Sequence, residues 1–378
     1  MRSIIRPRRV TGRARPDPYD LDAQERSERA QTFVETLWVE TERQRAILNA
    51  VRSYMRTCRT SRRRNGTSIT GRRLSQHSQA GKSAIAEQLI RELEQEARAA
   101  GEPPNPHRVI HINIDQRMTL KMLYQEILNR LGDDFPDEPG MRGLRIPTGQ
   151  SERIKGGSTD TMKVLEQRIE TWVRRLGVEL IVVDEIQRLV TRPDAEIDPD
   201  DPASFLTADA TDVTKKLQAF LDRGVVPLFF MGDEHSPKFF ALNRYFAARL
   251  LKPLQLLPLN VSKTADRKRF FDFCVEYDRR IVAANVTAVP TCLNQPAVLT
   301  ALIIASGGHI GRAARIIQVA LPAALERGAV TLEAYDLSNA VRDFAMELGW
   351  IGHDPFSIVP DDMTDSLEPQ PEEIADAA

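Results

Sequence analysis

The stretch ELIVVDEIQRL, Glu179 to Leu189, is an apolar strand that ends in two adjacent carboxylates, Asp184 and Glu185. A strand apolar throughout is one covered on both faces, as in a parallel sheet. About a hundred residues before it stands QHSQAGKS, Gln76 to Ser83. In the phosphate-loop pattern, backbone N–H groups wrap the phosphates, a lysine reaches the outer oxygens and the hydroxyl after it binds Mg²⁺. Lys82 and Ser83 fill those two places, with Gly81 before them. Either string alone is weak, because AGKS can begin an ordinary helix and two acids can end an ordinary strand. Their coincidence points to one nucleotide site. Asp184 then holds the magnesium shell with Ser83, and Glu185 polarises the attacking water.

The loop from Gln76 through His77, Ser78, Gln79, Ala80 and Gly81 to Lys82, Ser83 and Ala84 is the expected nucleotide cradle. The helix after it adds its positive end beneath the phosphates. Gln76 stands where the pattern has its first glycine. A non-glycine residue forced to positive φ there would cost on the order of 1–2 kcal/mol. No NKxD guanine-recognition string occurs, so ATP with Mg²⁺ is the expected ligand.

Working outward, SAIAEQLIRELEQEARAAG is a helix that Gly101 and Pro103 stop. RVIHINI (Arg108–Ile114) is a strand by its β-branched content, MTLKMLYQEILNRLG and TMKVLEQRIETWVRRLG are helices, and VVPLFFMG is a further strand after the helix TDVTKKLQAFLDRG. Alternation of this kind predicts an α/β fold, a parallel sheet flanked by helices. A Gly/Pro-rich loop is expected from about Asp133 to Gly157, and an acidic one at PDAEIDPDDPAS. Before the loop, one helical pattern runs from about Thr32 to Arg56, and RTCRTSRRRNGTS (Arg56–Ser68) reads as a basic loop that breaks it. After Leu259 every segment is helical. The expected organisation is a flexible basic arm (1–31), a nucleotide-binding α/β domain with an N-terminal helix (32–262), a helical lid (263–350) and an acidic disordered tail (351–378).

Composition fits a globular chain of 378 residues with 42% hydrophobic and 28% charged residues, room for a large core. No apolar run reaches the roughly 18 residues of a membrane helix, and the start lacks the apolar stretch of a secretory signal. Cys58, Cys274 and Cys292 form no CxxC pair, which argues against a zinc or disulfide scaffold and fits the cytoplasm. Net charge is −1, yet arginines crowd the first 73 residues and acids the tail. The arm with Arg62, Arg63 and Arg64 is a candidate for contact with DNA or a protein partner, against plain solvated disorder.

Further candidates flank the site. Asp233, just past the strand VVPLFFMG, can orient water or Mg²⁺, although Thr or Asn is commoner there. NRYFAARLLKPLQLLPL offers Arg244 and Arg249, either of which can reach a neighbouring subunit's γ-phosphate, against the alternative of a surface arginine. SGGHIGRAARII places Arg312 at the start of a helix, after a turn made by Gly307 and Gly308, where it can meet the same phosphates in cis.

With these pieces in order, the chain resembles the AAA+ transposition regulators TniB and TnsC, in the initiator-like part of that superfamily, from about Phe33 to Leu348. The resemblance is carried by AGKS, LIVVDEIQRL, the FFMG strand followed by NRYF…RL, LQLLPL and GGHIGRAARII. Gln76, Asp233 and the arginine-rich arm depart from it. The resemblance implies an ATPase that forms a homo-oligomer, as a helical filament or ring, on double-stranded DNA without sequence preference. It further implies recruitment of a DDE transposase, with a TniQ-like target selector as another partner, and disassembly on hydrolysis. Arg117 and Lys121 are the candidate DNA contacts, with a solvated helix face as the competing reading. The other functions open to such a site are a replication-initiation or helicase-loading ATPase and a P-loop kinase acting on a small molecule. Initiators usually carry an appended DNA-reading domain. A kinase needs neither trans arginines nor the GGHIGR segment.

Overall fold

The computed structural model describes residues 21–63, 68–77, 79–114, 118–132, 161–189 and 210–357. These form two compact units, one of Glu40–Leu257 and one joining the described residues up to Val39 to those from Pro258 onward.

The first unit holds a parallel sheet of β1 (Arg72–Ser75), β2 (Val109–Asn113), β3 (Leu180–Asp184) and β4 (Leu228–Gly232), in the order β1-β4-β3-β2. Parallel bridges from Gly71 to Leu250 and from Leu74 to Leu254 add a further extended segment outside β1. Every residue of β3 and β4 is buried, as their unbroken apolar sequence requires of strands covered on both faces.

In the second unit lies helix α1 (Ala23–Thr36), while α2 (Glu42–Arg63) opens the first. Around the sheet follow α3 (Lys82–Ala99), α4 (Leu120–Arg130), α5 (Met162–Leu176) and α6 (Ala210–Asp222), then the short α7 (Ser236–Ala241) and α8 (Arg244–Ala248). Each long helix buries a stripe at helical spacing, such as Ile85, Leu89 and Leu93 of α3 or Leu165, Ile169 and Val173 of α5. Every such Leu or Ile taken from water contributes about 1.5–3 kcal/mol. Arg45 and Arg52 of α2 both pair with Glu92 of α3, and Arg45 also holds Glu40. The buried Tyr54 hydroxyl donates to the carbonyl oxygens of Thr70 at 2.6 Å and Leu228 at 3.1 Å, fixing α2 against the sheet.

The second unit is helical: α9 (Thr264–Ala283), α10 (Pro296–Ala305), α11 (Ile310–Glu326) and α12 (Ala334–Ala340), which continues into a wider π turn over Val341–Met346. Phe270, Phe273, Tyr277, Ile316 and Leu321 lie in its core. Helix α1 packs on α11 through Ala30 and Val34, and Gln318 Nε2 donates to the Val34 carbonyl at 3.0 Å. No single described helix is long and apolar enough to cross a membrane.

Four expectations from the sequence need correction. The single helix over Thr32–Arg56 is two helices, because Leu37 turns extended and Thr41 begins a new cap, its N–H and hydroxyl both donating to Gln44 Oε1 at 2.9 Å. Helix α1 begins at Ala23, inside the stretch expected to be a flexible arm, since Asp22 and Glu25 form a reciprocal capping box. The basic loop starts late, because α2 runs on to Arg63 in a stretch with no glycine or proline to stop it before Gly66. Strand β1 had no counterpart in the sequence reading, since RRLS has only one apolar residue. The long loop, the acidic segment and the tail beyond residue 357 lie outside the described residues.

Gly308 sits at φ +73°, and a Cβ there would stand 2.0 Å from the Leu259 carbonyl oxygen. Gly308→Ala is therefore expected to destabilise the protein by at least about 2 kcal/mol. Urea unfolding would show the midpoint lowered at unchanged slope; a midpoint equal to wild type would contradict the close approach.

Candidate nucleotide site

The parallel register brings the carboxyl ends of the strands to one edge, with Ser75 opposite Gly232 and Asn113 opposite Asp184. The loop leaves β1 there. The Gln76 N–H donates to the Gly232 carbonyl at 3.1 Å, so the first loop residue still follows β4. Gln76 is not among the described non-glycine residues with positive φ, which corrects the expected strain at the missing glycine. The left-handed positions are Gln79 (φ 60°) and Gly81 (φ 93°), the second immediately before α3. Ala80 is buried and its N–H donates to the His77 carbonyl at 3.3 Å. Ala84 lies half-buried in the first turn of α3, and Ser78 lies outside the described residues.

Lys82 is only 4% exposed, and its ammonium donates to the carbonyl oxygens of Gln76 (2.8 Å) and His77 (2.9 Å). Burial lowers its pKa, opposed by the negative field of Glu185, Asp184, Asp233 and Glu234. The Ser83 hydroxyl donates to Asp184 Oδ2 at 2.5 Å, and the Glu185 N–H donates to Oδ1 at 2.9 Å. Burial pushes the Asp184 carboxyl up, but His111 and the Ser83 hydroxyl outweigh it and hold the group below the usual carboxylate range. His111 Nε2, on β2, lies 3.6 Å from Asp184 Oδ2. An ionised carboxylate beside a hydroxyl is a pair of hard oxygen donors, the set a magnesium ion takes.

Glu185 follows with φ 58° and ψ 44°, left-handed without being glycine. Its Oε2 accepts from Gln187 Nε2 at 2.6 Å and lies 3.8 Å from Arg188 Nε. Gln187 is a residue that sequence reasoning missed, although it stands inside the DEIQRL string.

Asp233 lies beyond β4, where the sequence placed it, but Oδ1 accepts from the N–H groups of His235 (2.9 Å) and Ser236 (3.1 Å). That oxygen caps the entry to α7. The Ser236 hydroxyl lies 2.7 Å from both Ser75 Oγ and the Asp233 carbonyl, joining the ends of β1 and β4. His77 Nδ1 lies 3.6 Å from Glu234 Oε2.

The arginines are held by other partners. Arg249 Nε donates to Asp222 Oδ1 at 2.5 Å, and Arg244 lies over the Tyr245 ring, 4.8 Å from its centroid. In the second unit Arg312, in the first turn of α11, lies over the Trp350 ring at 5.1 Å. Lys121 is half-buried in the first turn of α4, whose cap is Thr119. Arg117 and Arg64 lie outside the described residues, as do the side chains of Arg62 and Arg63. The structure thus brings together Gln76, His77, Lys82, Ser83, Asp184 and Glu185, with Asp233 on the adjoining strand end.

A parallel sheet flanked by helices, a phosphate loop after its first strand, an Asp-Glu pair ending the third and a helical C-terminal region define a AAA+ P-loop fold. Residues 75–239 match the AAA domain family. Solved structures similar to the chain include the Aeropyrum pernix ORC1 protein in complex with DNA (18% identity, 81% of this chain and 66% of that one, TM-score 0.49). Others are Cdc6p from Pyrobaculum aerophilum (13%, 74% and 62%, TM-score 0.42) and Drosophila ORC bound to DNA (14%, 89% and 70%, TM-score 0.47). The chain therefore spans less than two thirds of the first two proteins' lengths. No curated protein sequence matches it significantly.

Because burial depresses the Lys82 pKa, its charged form costs folding stability in full below the folded pKa, and the cost fades as pH rises from there to the unfolded value. At neutral pH, Lys82→Met should accordingly raise the melting temperature of the nucleotide-free protein by a few degrees while removing any stabilisation by ATP. Thermal melts with and without Mg-ATP check both halves; a variant still stabilised by ATP would remove Lys82 from the phosphate site.

Proposed function

We propose that the protein is a Mg-ATP-hydrolysing AAA+ ATPase that assembles on double-stranded DNA in its ATP state. The observation that carries the ATPase part is the cluster at the strand ends, where the Ser83 hydroxyl and the Glu185 N–H both donate to Asp184 and the adjacent Lys82 ammonium is buried against the loop carbonyls of Gln76 and His77. Magnesium, held by Ser83 and Asp184, would neutralise the charge that develops on the phosphates. Lys82 exchanges the two loop carbonyls for phosphate oxygens, and the N–H groups of the loop from Gln79 to Ser83 wrap the same oxygens. Glu185 accepts a hydrogen bond from the attacking water and aims it in line with the bond that breaks. Arg244 or Arg249, released from its partner on the surface, is the candidate to supply positive charge to a neighbour's γ-phosphate, and Arg312 remains the candidate that the sequence alone offers for the protein's own.

The DNA part rests on the sequence resemblance, with Lys121 and Arg117 as candidate phosphate contacts and the arginine-rich arm as a second. Within it, the DEIQRL and GGHIGRAARII strings support the role of a transposition regulator with a DDE transposase and a TniQ-like selector as partners. None of the similar structures named above is a transposition protein, so that role stands on the resemblance alone. The alternative, an initiator or helicase-loading ATPase, needs the same site and the same duplex, and differs in the partner it recruits.

Sedimentation with random-sequence duplex is the deciding experiment, run with ATP, ADP and a non-hydrolysable analogue. Large DNA-bound assemblies are expected with ATP and the analogue but not with ADP, weakening steeply as salt rises. A species indifferent to DNA in every nucleotide state would sink the DNA role and leave the nucleotide site standing. Glu185→Gln should lower turnover at least about a hundredfold and trap the ATP-bound assembly; unimpaired turnover would take Glu185 out of the chemistry.

A further inference from the structure

Gln187 is 5% exposed, on the turn that follows β3, and both ends of its side-chain amide are engaged. Nε2 donates to Glu185 Oε2 at 2.6 Å, and Oε1 accepts the Asp233 N–H at 3.2 Å. The chemistry of the partners fixes the amide's orientation, since a carboxylate only accepts and a backbone N–H only donates. The space for it exists because residue 232 is glycine. A Cβ there would stand 2.7 Å from Gln187 Oε1 and 2.5 Å from the Ser236 Cβ. A buried amide whose two ends join the reacting carboxylate to the end of a neighbouring strand has a role that packing alone does not require.

We propose that Gln187 is a positioning residue for hydrolysis: it holds the Glu185 carboxylate in the direction of the attacking water and ties that direction to the backbone at the end of β4. Glu185 carries the strain of a left-handed backbone, so its side chain leaves β3 along a path that the regular strand would not provide. Gln187 supplies the second fixed point that turns this path into one carboxylate orientation. The Gly232–Asp233 backbone also accepts from the Gln76 N–H, so the same strand end touches the phosphate loop on one side and Gln187 on the other. A shift of the loop on nucleotide binding therefore reaches Glu185 through one backbone segment and one amide. The inference rests on the ATPase reading given above.

The test is steady-state and single-turnover ATP hydrolysis by the full chain, with nucleotide affinity measured separately. Gln187→Ala removes both arms. Gln187→Glu keeps the shape and the acceptor for the Asp233 N–H but cannot donate to Glu185, so it isolates the arm that matters. Both should lower kcat roughly 10- to 100-fold while ATP affinity stays within about threefold of wild type. In a Glu185→Gln background neither should cause further loss, because Gln187 acts through the carboxylate that is already gone. Turnover within about threefold of wild type in Gln187→Glu, or losses that add fully to those of Glu185→Gln, would overturn the proposal. A wild-type protein that binds but never hydrolyses ATP would overturn the ATPase reading instead, and with it this role. Thermal melts of each variant identify any that fails to fold, and Gln187→Glu then decides the matter because it conserves volume.

Discussion

The register of the parallel strands is the constraint on which the site depends. With Asn113 opposite Asp184 and Ser75 opposite Gly232, β1, β2, β3 and β4 end at one level, so four chain exits share one edge. A one-residue slip would turn every side chain of a strand to the opposite face. For β3 that would swing Asp184 away from Ser83, whose hydrogen bond at 2.5 Å joins the start of α3 to the strand. The register is held by burial on both sides of β3 and β4, where Val182, Val183, Phe229 and Phe230 have almost no exposed surface. Phe230 packs against Phe240 and Phe246, both 5.8 Å away between ring centres, so α7 and α8 are clamped beneath the same edge. The polar site is a few side chains wide and stands on an apolar support many residues deep.

That support was the legible part. Helices α3, α4 and α5 and strands β2, β3 and β4 announce themselves by period and apolar run, and the structure places them where the periods put them. Strand β1 was hidden because Arg72 and Arg73 look like surface residues. Burial lowers the pKa of both, and the Arg73 guanidinium lies over the Phe240 ring at 5.2 Å, so an apolar neighbour rather than water covers it. The break between α1 and α2 was hidden for a different reason. Its cap is Thr41 with Gln44, a pair that in sequence looks like two polar residues on a helix face.

In the candidate site, the residue types could be read from the sequence and the contacts they make could not. Lys82, Ser83, Asp184 and Glu185 follow from motif and spacing. That one oxygen of Asp233 serves as a helix cap follows only from the turn into α7. Gln187 shows the limit most clearly, since nothing in its position predicts that Gly232 leaves room for its amide. Close approach between residues 45 apart is a property of register, and register is visible only after the strands are paired.

The same edge carries three features that stability alone would remove. Lys82 is a buried cation whose ionised form the fold disfavours. Gln79 and Glu185 each hold a left-handed backbone without being glycine, at about 1–2 kcal/mol apiece. All three lie within the segments that flank the Ser83–Asp184 bond, and none occurs in the middle of a strand. Strain confined to chain exits is tolerated because the sheet behind them is over-determined by packing. On the proposed reading it also gives those exits a conformation to leave: phosphate oxygens would offer Lys82 a negative partner in place of two neutral carbonyls. Differential interaction of that kind is what a nucleotide requires in order to shift a conformational equilibrium at all. A loop with no buried charge and no strained residue would be more stable and would have less to gain from its ligand.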